Sequence, residues 1–242
     1  YDADSFFVTW LDGRNTGIPA GHEHNGHAGS MSIRAARVKI DGSVSDEIEL
    51  DSSTCDCCQT SAAMTENGPI VVYRDRSATE VRDIAITRLV DGSWSSPTPV
   101  HTDGWEINGC PVNGPKVDAN GNSVVVAWFT GANNTPKVKI SFSSDSGASF
   151  GAPIQVSGQA VLGRVDVALL DEHSAILSWM ETEKEASYLK AARVTDAGLG
   201  DPIKITPIDP ARKSGFPQME IYGESVYFAW TEIDGETSQV KT

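Results

Sequence analysis

Five of the ten arginines in this chain lie at the edges of predicted loops, where a bound molecule could reach them. A guanidinium group pairs well with a carboxylate because its planar fork offers two parallel donors. If these loops meet on one face, they predict a site for an anionic ligand. The alternative is that the arginines form salt bridges with Asp12, Asp75, Asp83 and Asp166. The five arginines are Arg14, Arg74, Arg76, Arg82 and Arg164.

A glycine-rich segment carries three histidines, His22, His24 and His27. Imidazoles at this spacing can share one copper or zinc ion, so the segment predicts a Cu or Zn site as one interpretation. The other interpretation is a polar loop in which the histidines are incidental. A separate long loop contains Trp105 and Asn113, which are candidate ligand contacts together with Asp83 and Asp166.

The four cysteines are Cys55, Cys57, Cys58 and Cys110. An even number of cysteines in a tight cluster favours disulfides and an oxidising compartment, whereas Cys-x-Cys-Cys is also typical of thiolate metal sites. A bond between the adjacent Cys57 and Cys58 would be strained. We therefore predict two disulfides, one from Cys110 to the 55–58 segment and one within that segment. Four sulfur atoms around one metal ion is the alternative.

The acidic balance of the chain restricts its partners. The formal charge is −14 and the isoelectric point about 4.7 over 242 residues. Such a chain is repelled by nucleic acid and by anionic membrane surfaces. No apolar run approaches the roughly 20 residues of a membrane-spanning helix. We expect an extracellular or periplasmic protein whose partner is neither nucleic acid nor a membrane.

The elements that position these residues repeat along the chain. An aromatic anchor ends each of five apolar runs, and the anchors are 63, 55, 51 and 51 residues apart. Each run is followed by a second extended segment, a tight turn with Asp and Gly, and a short strand. A period of this size, made only of strands and turns, predicts a β-propeller. The anchors are Trp10, Tyr73, Trp128, Trp179 and Trp230.

Each repeat is predicted to form a four-stranded blade, with strands A to D in chain order. In the third repeat the predicted strands are 114–118, 124–129, 137–143 and 153–156. The first repeat begins at strand B and the fifth ends in strand C. We therefore expect a single all-β propeller domain over 1–242 that is incomplete at both ends. It would have about five blades here and six when complete.

One predicted turn resembles a known family signature. The segment 143–150 reads SSDSGASF, which resembles the Asp-box of the sialidase-like, or BNR repeat, propellers. Degenerate copies surround Asp41, Asp91 and Asp196, and with its five blade-like repeats the whole chain is similar to these propellers. The segments TCDCCQTSAA, VYRDRSATEVRDI and NGCPVNGP resemble a bacterial exo-α-sialidase-like subgroup. The box implies the fold and carries no activity of its own.

The resemblance also implies which residues an enzyme of this kind would use. Sialidases bind the substrate carboxylate with an arginine triad, which Arg14, Arg74 and Arg164 could form, with Asp75 as the acid. They also use a tyrosine nucleophile activated by a glutamate. Tyr73 precedes Arg74 in a strand, so it should point to the opposite side. No evident Tyr/Glu pair completes the set.

Three functions follow from these patterns. The first is a secreted or periplasmic module that binds an anionic glycan or a protein through an Arg/Asp-rich rim. The second is a sialidase-like glycoside hydrolase or lyase. The third is a Cu/Zn-binding protein that uses the 22–27 segment.

Overall fold

The computed structural model describes residues 4–17, 30–156 and 160–242. These residues form twenty β-strands, arranged as five antiparallel sheets, and two short 3₁₀ turns. The turns cover Ala132–Asn134 and Arg212–Ser214. In the part of the chain described, no helix is long or apolar enough to cross a membrane.

Each sheet is built from strands that are consecutive in the chain, which makes each sheet one blade. Blade 1 contains β1 (Ser5–Asp12), β2 (Met31–Lys39) and β3 (Val44–Thr54). Blade 2 contains β4 (Ser61–Thr65), β5 (Gly68–Arg74), β6 (Ile84–Val90), β7 (Ser93–Trp94) and β8 (Thr98–His101). Blade 3 contains β9 (Lys116–Asn120), β10 (Ser123–Thr130), β11 (Lys137–Ser143) and β12 (Ile154–Val156).

The last two blades follow the same plan. Blade 4 contains β13 (Val161–Asp171), β14 (Ser174–Glu183), β15 (Ala186–Thr195), β16 (Gly198–Leu199) and β17 (Ile203–Pro207). Blade 5 contains β18 (Gln218–Tyr222), β19 (Ser225–Asp234) and β20 (Thr237–Lys241). In blades 2 and 4 the predicted strand D is split into two short strands that pair with the same strand C.

The predicted repeat is confirmed, because all five anchors lie in the strand that was predicted as strand B. Strand C of blade 3 has the predicted bounds, whereas strand A begins at Lys116 rather than at 114. The reason is local. Gly114 donates its backbone N–H to the Gln59 side chain, and Pro115 has no N–H to give to a ladder. A single domain over 1–242 stays a prediction.

Consecutive blades are joined by apolar cores, because alternate residues of a strand face opposite sides. In β5, Val71 and Tyr73 pack toward blade 1, whereas Ile70 and Val72 pack toward blade 3. Two further cores join blade 3 to blade 4 and blade 4 to blade 5. Each inner blade is therefore buried on both faces, which explains its runs of Val, Ile and Leu.

Hydrogen bonds also join strand A of one blade to strand A of the next, from blade 2 to blade 5. The backbone N–H of Val117 donates to Ser61 Oγ at 3.2 Å. The N–H of Leu169 donates to Asp118 Oδ2, and that of Met219 donates to Asp166 Oδ2, each at 2.8 Å. These side chains hold the inner strands side by side, so the loops that lead into them gather at one rim.

Candidate functional site

Three loops at this rim pack against one another between blades 1 and 3. They are residues 55–60, 75–83 and 102–115, which connect β3 to β4, β5 to β6 and β8 to β9. The disulfide Cys57–Cys110 joins the first loop to the third, with a Cα–Cα distance of 6.1 Å. The predicted cross-loop disulfide is therefore confirmed.

The prediction of a second disulfide is wrong. Cys55 and Cys58 are free thiols, and their sulfur atoms lie 3.3 Å apart without a bond. The alternative of four sulfurs around one metal ion does not hold either, because Cys57 and Cys110 are bonded to each other. The two adjacent cysteines separate because Cys57 meets the third loop, whereas Cys58 is buried beside Cys55.

Arg74 lies at the centre of the cluster and is only 2% exposed. Its guanidinium donates to the main-chain carbonyls of Asn113, Arg82 and Phe129 at 2.6–3.0 Å. It also stacks over the buried Trp105 ring at 4.8 Å. Among the described residues, Arg74 therefore donates to carbonyls rather than to Asp75 or Asp166, and its contact with an anionic ligand stays a prediction. Burial lowers the pKa of Arg74, whereas nearby cysteines oppose that shift.

Two other arginines of the set are held by a carboxylate that the sequence analysis missed. Glu80 accepts hydrogen bonds from both Arg76 and Arg82, with shortest distances of 2.6 and 2.7 Å. Arg76 also pairs with Asp56, and Arg82 also donates to Cys55 Sγ at 3.4 Å. The spacing Arg76-x-x-x-Glu80-x-Arg82 was the signal available in the sequence.

Arg14 and Arg164 have partners of their own. Arg14 is half-exposed and pairs with Asp12 at 2.7 Å and Glu47 at 2.9 Å. The Arg164 side chain donates to Ser214 and to the carbonyls of residues 210 and 211, in the last loop before β18. The three arginines proposed as a triad thus bind three different sets of groups. Of the predicted salt bridges, the one between Arg14 and Asp12 forms.

Asn113 connects loops of neighbouring blades. Its side-chain oxygen accepts the backbone N–H of Arg164 at 2.8 Å, and its side-chain nitrogen donates to the Leu162 carbonyl. Gln59 has the equivalent role one blade earlier, where it accepts the N–H of Gly114 at 3.1 Å. Asp166, which pairs with Lys116 at 3.6 Å, belongs to the ties between inner strands.

Asp75 and Asp83 line an open cleft of about 210 Å³ beside this cluster. Burial and the neighbouring carboxylates Asp51 and Asp83 raise the pKa of Asp75 to about 6, although a hydrogen bond from the Arg76 backbone opposes the shift. Asp83 accepts the backbone N–H groups of residues 104 and 105 at 2.8 and 3.0 Å. Asp75 is therefore a carboxyl that can hold or release a proton near neutral pH.

Tyr73 points away from this cleft, as the strand alternation predicted. Its ring is fully buried between blades 1 and 2, and its hydroxyl donates to Asp51 at 2.7 Å. Burial, followed by the charge of Asp51, raises the pKa of Tyr73 far above its usual value. A phenol in this state does not serve as a nucleophile. His22, His24 and His27 lie outside the described residues, so the Cu or Zn site stays a prediction.

Comparison with known proteins identifies the fold. No family model matches the chain, and no curated protein matches it. Several solved structures do match. A Hadza microbial sialidase is 16% identical, with a TM-score of 0.51 over 87% of this chain and 52% of that one. The NanB sialidase of Streptococcus pneumoniae is 12% identical, with a TM-score of 0.52 over 96% of this chain and 40% of that one.

An α-L-arabinofuranosidase from Clostridium thermocellum is 10% identical, with a TM-score of 0.51 over 95% of this chain and 79% of that one. At these identities the comparisons show the fold alone, and this chain spans about half the length of the two sialidases. The fold is a sialidase-like β-propeller, as the turn motif and the repeat predicted.

Proposed function

We propose that this propeller binds glycans outside the cytoplasm. The observation that carries the proposal is the cleft beside the disulfide-linked loops. Asp75, Ser77, Asp83, Thr98 and Thr102 give it carboxylates and hydroxyls, and Pro97 and Pro99 give it apolar surface. Carboxylates accept hydrogen bonds from sugar hydroxyls, while apolar groups contact the C–H faces of a sugar ring. The disulfide supports an extracellular or periplasmic location.

The size and charge of the cleft select a ligand. Its volume of about 210 Å³ lies below the roughly 300–1,000 Å³ of sites for drug-sized molecules, so it suits one sugar residue at the end of a chain. Asp75 and Asp83 would repel an acidic sugar. We therefore favour a neutral glycan over the anionic one that the arginines suggested. An anionic glycan or a protein would have to compete with Asp12, Glu47, Asp56 and Glu80 for the paired arginines.

Binding of neutral and sialylated oligosaccharides tests this proposal. The parent should bind a neutral oligosaccharide on a glycan array and in calorimetry. Asp75→Asn and Asp83→Asn should each weaken that binding at least tenfold. Asp91→Asn, at an exposed turn, is the matched control and should bind like the parent. Binding restricted to sialylated glycans and abolished by Arg76→Met would contradict the cleft and support the anionic site.

One observation favours glycoside hydrolysis as a second candidate. A carboxyl with a pKa of about 6 is suited to protonate a leaving group, and Asp75 has that property in an open cleft. Asp83 would be the second carboxylate of the pair. A panel of chromogenic glycosides should then reveal turnover that Asp75→Asn reduces far more than it weakens glycan binding. Absence of turnover across neutral and acidic glycosides would leave the binding module as the function.

A further inference from the structure

The thiols of Cys55 and Cys58 form a buried pair that the proposed glycan site does not use. Their sulfur atoms are 3.3 Å apart, and their residues are 0% and 2% exposed. The sulfur of Cys57 lies 3.9 Å from that of Cys55, so three sulfurs share one small volume. Because Cys57 is bonded to Cys110, two sulfurs remain that could bind a ligand.

The surroundings favour negative charge on this pair. Arg82 donates to Cys55 Sγ at 3.4 Å, and its own charge is matched by Glu80. Arg74 is buried and donates to main-chain carbonyls, and negative charge on Cys58 and Cys55 would interact favourably with its guanidinium. A buried guanidinium without an opposite charge nearby is unfavourable. One negative charge on the two sulfurs would offset that cost.

The hydrogen bonding within the pair agrees with that charge. The hydrogen bond between the two sulfurs lowers the pKa of Cys55, and Arg82 adds to that shift while burial opposes it. The same hydrogen bond, together with burial, raises the pKa of Cys58 far above its usual value. Sulfurs 3.3 Å apart can hold one proton between them, which leaves one negative charge on the pair.

We infer that Cys55 and Cys58 form a two-sulfur binding site for a soft monovalent cation, Cu(I). Thiolates select soft metals, and Cu(I) is the monovalent ion among them. Two thiolates and one Cu(I) carry one net negative charge, the same as the proton-sharing pair. The ion takes the place of the proton, which passes to water as two Cu–S bonds form. Copper enters as Cu(I), so no electron is transferred.

The geometry separates this ion from zinc. Structural zinc takes four ligands at tetrahedral geometry, and zinc–sulfur bonds measure about 2.3 Å. Among the described residues, the sulfurs of Cys57 and Cys110 could complete such a set only after their disulfide is reduced. A two-coordinate ion needs only Cys55 and Cys58, whose sulfurs would move apart from 3.3 Å as the ion enters.

The experiment titrates the full chain with Cu(I) under anaerobic conditions, in competition with bathocuproine disulfonate. The parent should retain one copper per chain and release about one proton. Cys55→Ser and Cys58→Ser should each weaken retention at least tenfold. The double variant Cys57→Ser/Cys110→Ser is the control and should retain the ion. Replacing His22, His24 and His27 by Asn should also leave retention unchanged.

Three results would overturn the inference. The first is failure of the parent to hold Cu(I) against the competitor. The second is retention that depends on the histidines and is unaffected by the cysteine variants. The third is a Cys55–Cys58 disulfide in the protein as isolated, detected by mass spectrometry after alkylation. X-ray absorption on the copper-loaded parent does not depend on the folding of a variant. It should show two sulfur ligands, and nitrogen ligands would reject the site.

Discussion

At the scale of single residues, burial decides whether a loop arginine can meet a ligand. Arg74 is the last residue of β5 and Arg14 comes two residues after β1, and both resemble members of a substrate-binding triad in the sequence. Arg74 is 2% exposed and its donors are used by carbonyls of the protein, whereas Arg14 keeps half of its side chain in water. Arg74 is therefore a structural residue that joins loops 75–83 and 102–115 to strand β10.

Replacing Arg74 by methionine tests that role. The carbonyls of Arg82, Asn113 and Phe129 would lose their donors, and a buried acceptor without a partner costs about 1–3 kcal/mol. We expect the free energy of unfolding in urea to fall by about 3 kcal/mol. Arg14→Met, an exposed ion-pair arginine, should change it by less than about 1 kcal/mol. Equal effects of the two variants would show that Arg74 does not anchor the loops.

Asp75 should make stability depend on pH. Its folded-state pKa of about 6 exceeds the unfolded value of 3.8, so the folded chain holds the extra proton between these values. The contribution of Asp75 to the free energy of unfolding is fully present below pH 3.8 and is lost as the pH rises through 6. Relative to Asp75→Asn, the parent should lose about 2–3 kcal/mol between pH 4 and pH 7.

Urea unfolding of both proteins at several pH values measures this difference. Asp91→Asn should follow the parent, because Asp91 lies exposed at a turn with a φ of 50°, which asparagine also adopts. A constant difference between the parent and Asp75→Asn across the range would mean that the Asp75 pKa is not raised in the folded protein.

At the scale of strands, the anchors belong to a repeated pairing. Four of the five anchors lie directly opposite a basic residue on strand C. These basic residues are Arg34, Lys139, Lys190 and Lys241. In blade 3, Asp103 accepts both Trp128 Nε1 and Lys139 Nζ, and in blade 4 Glu181 contacts Trp179 Nε1 and Lys190 Nζ. Each carboxylate thus binds strand B to strand C, and burial of the aromatic ring stabilises the blade.

Blade 2 departs from that pairing, and it is the blade that carries the cleft. Ala85 stands opposite Tyr73 where other blades have a cation, and Ala85 also lines the cleft. In the other four blades the residue opposite the anchor is basic, whereas in blade 2 it is Ala85. This position therefore supplies no positive charge to the nearby carboxylates Asp51, Asp75 and Asp83. Their mutual repulsion contributes to the raised pKa of Asp75.

Close approach of the loops between blades requires a glycine at 114. A Cβ atom added there would lie 2.0 Å from the carbonyl oxygen of Gln59, which is backbone and cannot move freely. Gly114→Ala should lower the free energy of unfolding by about 3 kcal/mol through overpacking. Gly151→Ala is the matched control, because its Cβ would lie no closer than 3.7 Å to any neighbour. Similar melting of both variants would show that the loops can move apart.

At the scale of the whole molecule, the propeller is a series of blades joined by apolar cores and inner-strand ties. The disulfide Cys57–Cys110 adds one covalent link, between loops 53 residues apart in sequence. The side chain of Arg212 also donates to the Cys110 carbonyl, so the loop before β18 meets the same region. These contacts link three loops of the rim, so we expect the proposed glycan site to be preformed rather than to close on its ligand.

The covalent link should contribute to stability mainly through the unfolded chain. Closing a loop of about 53 residues removes unfolded-state entropy worth about 4 kcal/mol by the chain-entropy relation. Cys110→Ser should therefore lower the melting temperature, and adding a reductant to the parent should lower it by a similar amount. Calorimetric scans measure both. If the reductant also lowered the melting temperature of Cys110→Ser by that amount, the stabilisation would come from elsewhere.

The sequence by itself determined the repeat, the strand order, the anchor positions and the cross-loop disulfide. These follow from period-2 alternation and turn residues, which act over a few neighbours, and from cysteines with few choices of partner. Tertiary structure alone decided the partners of the arginines and the state of Cys55 and Cys58. Arg74 binds carbonyls 39 and 55 residues away, and a long, flexible side chain can reach many groups. Its partner depends on which loops the packed blades bring within a few ångströms, and residue spacing does not encode that distance.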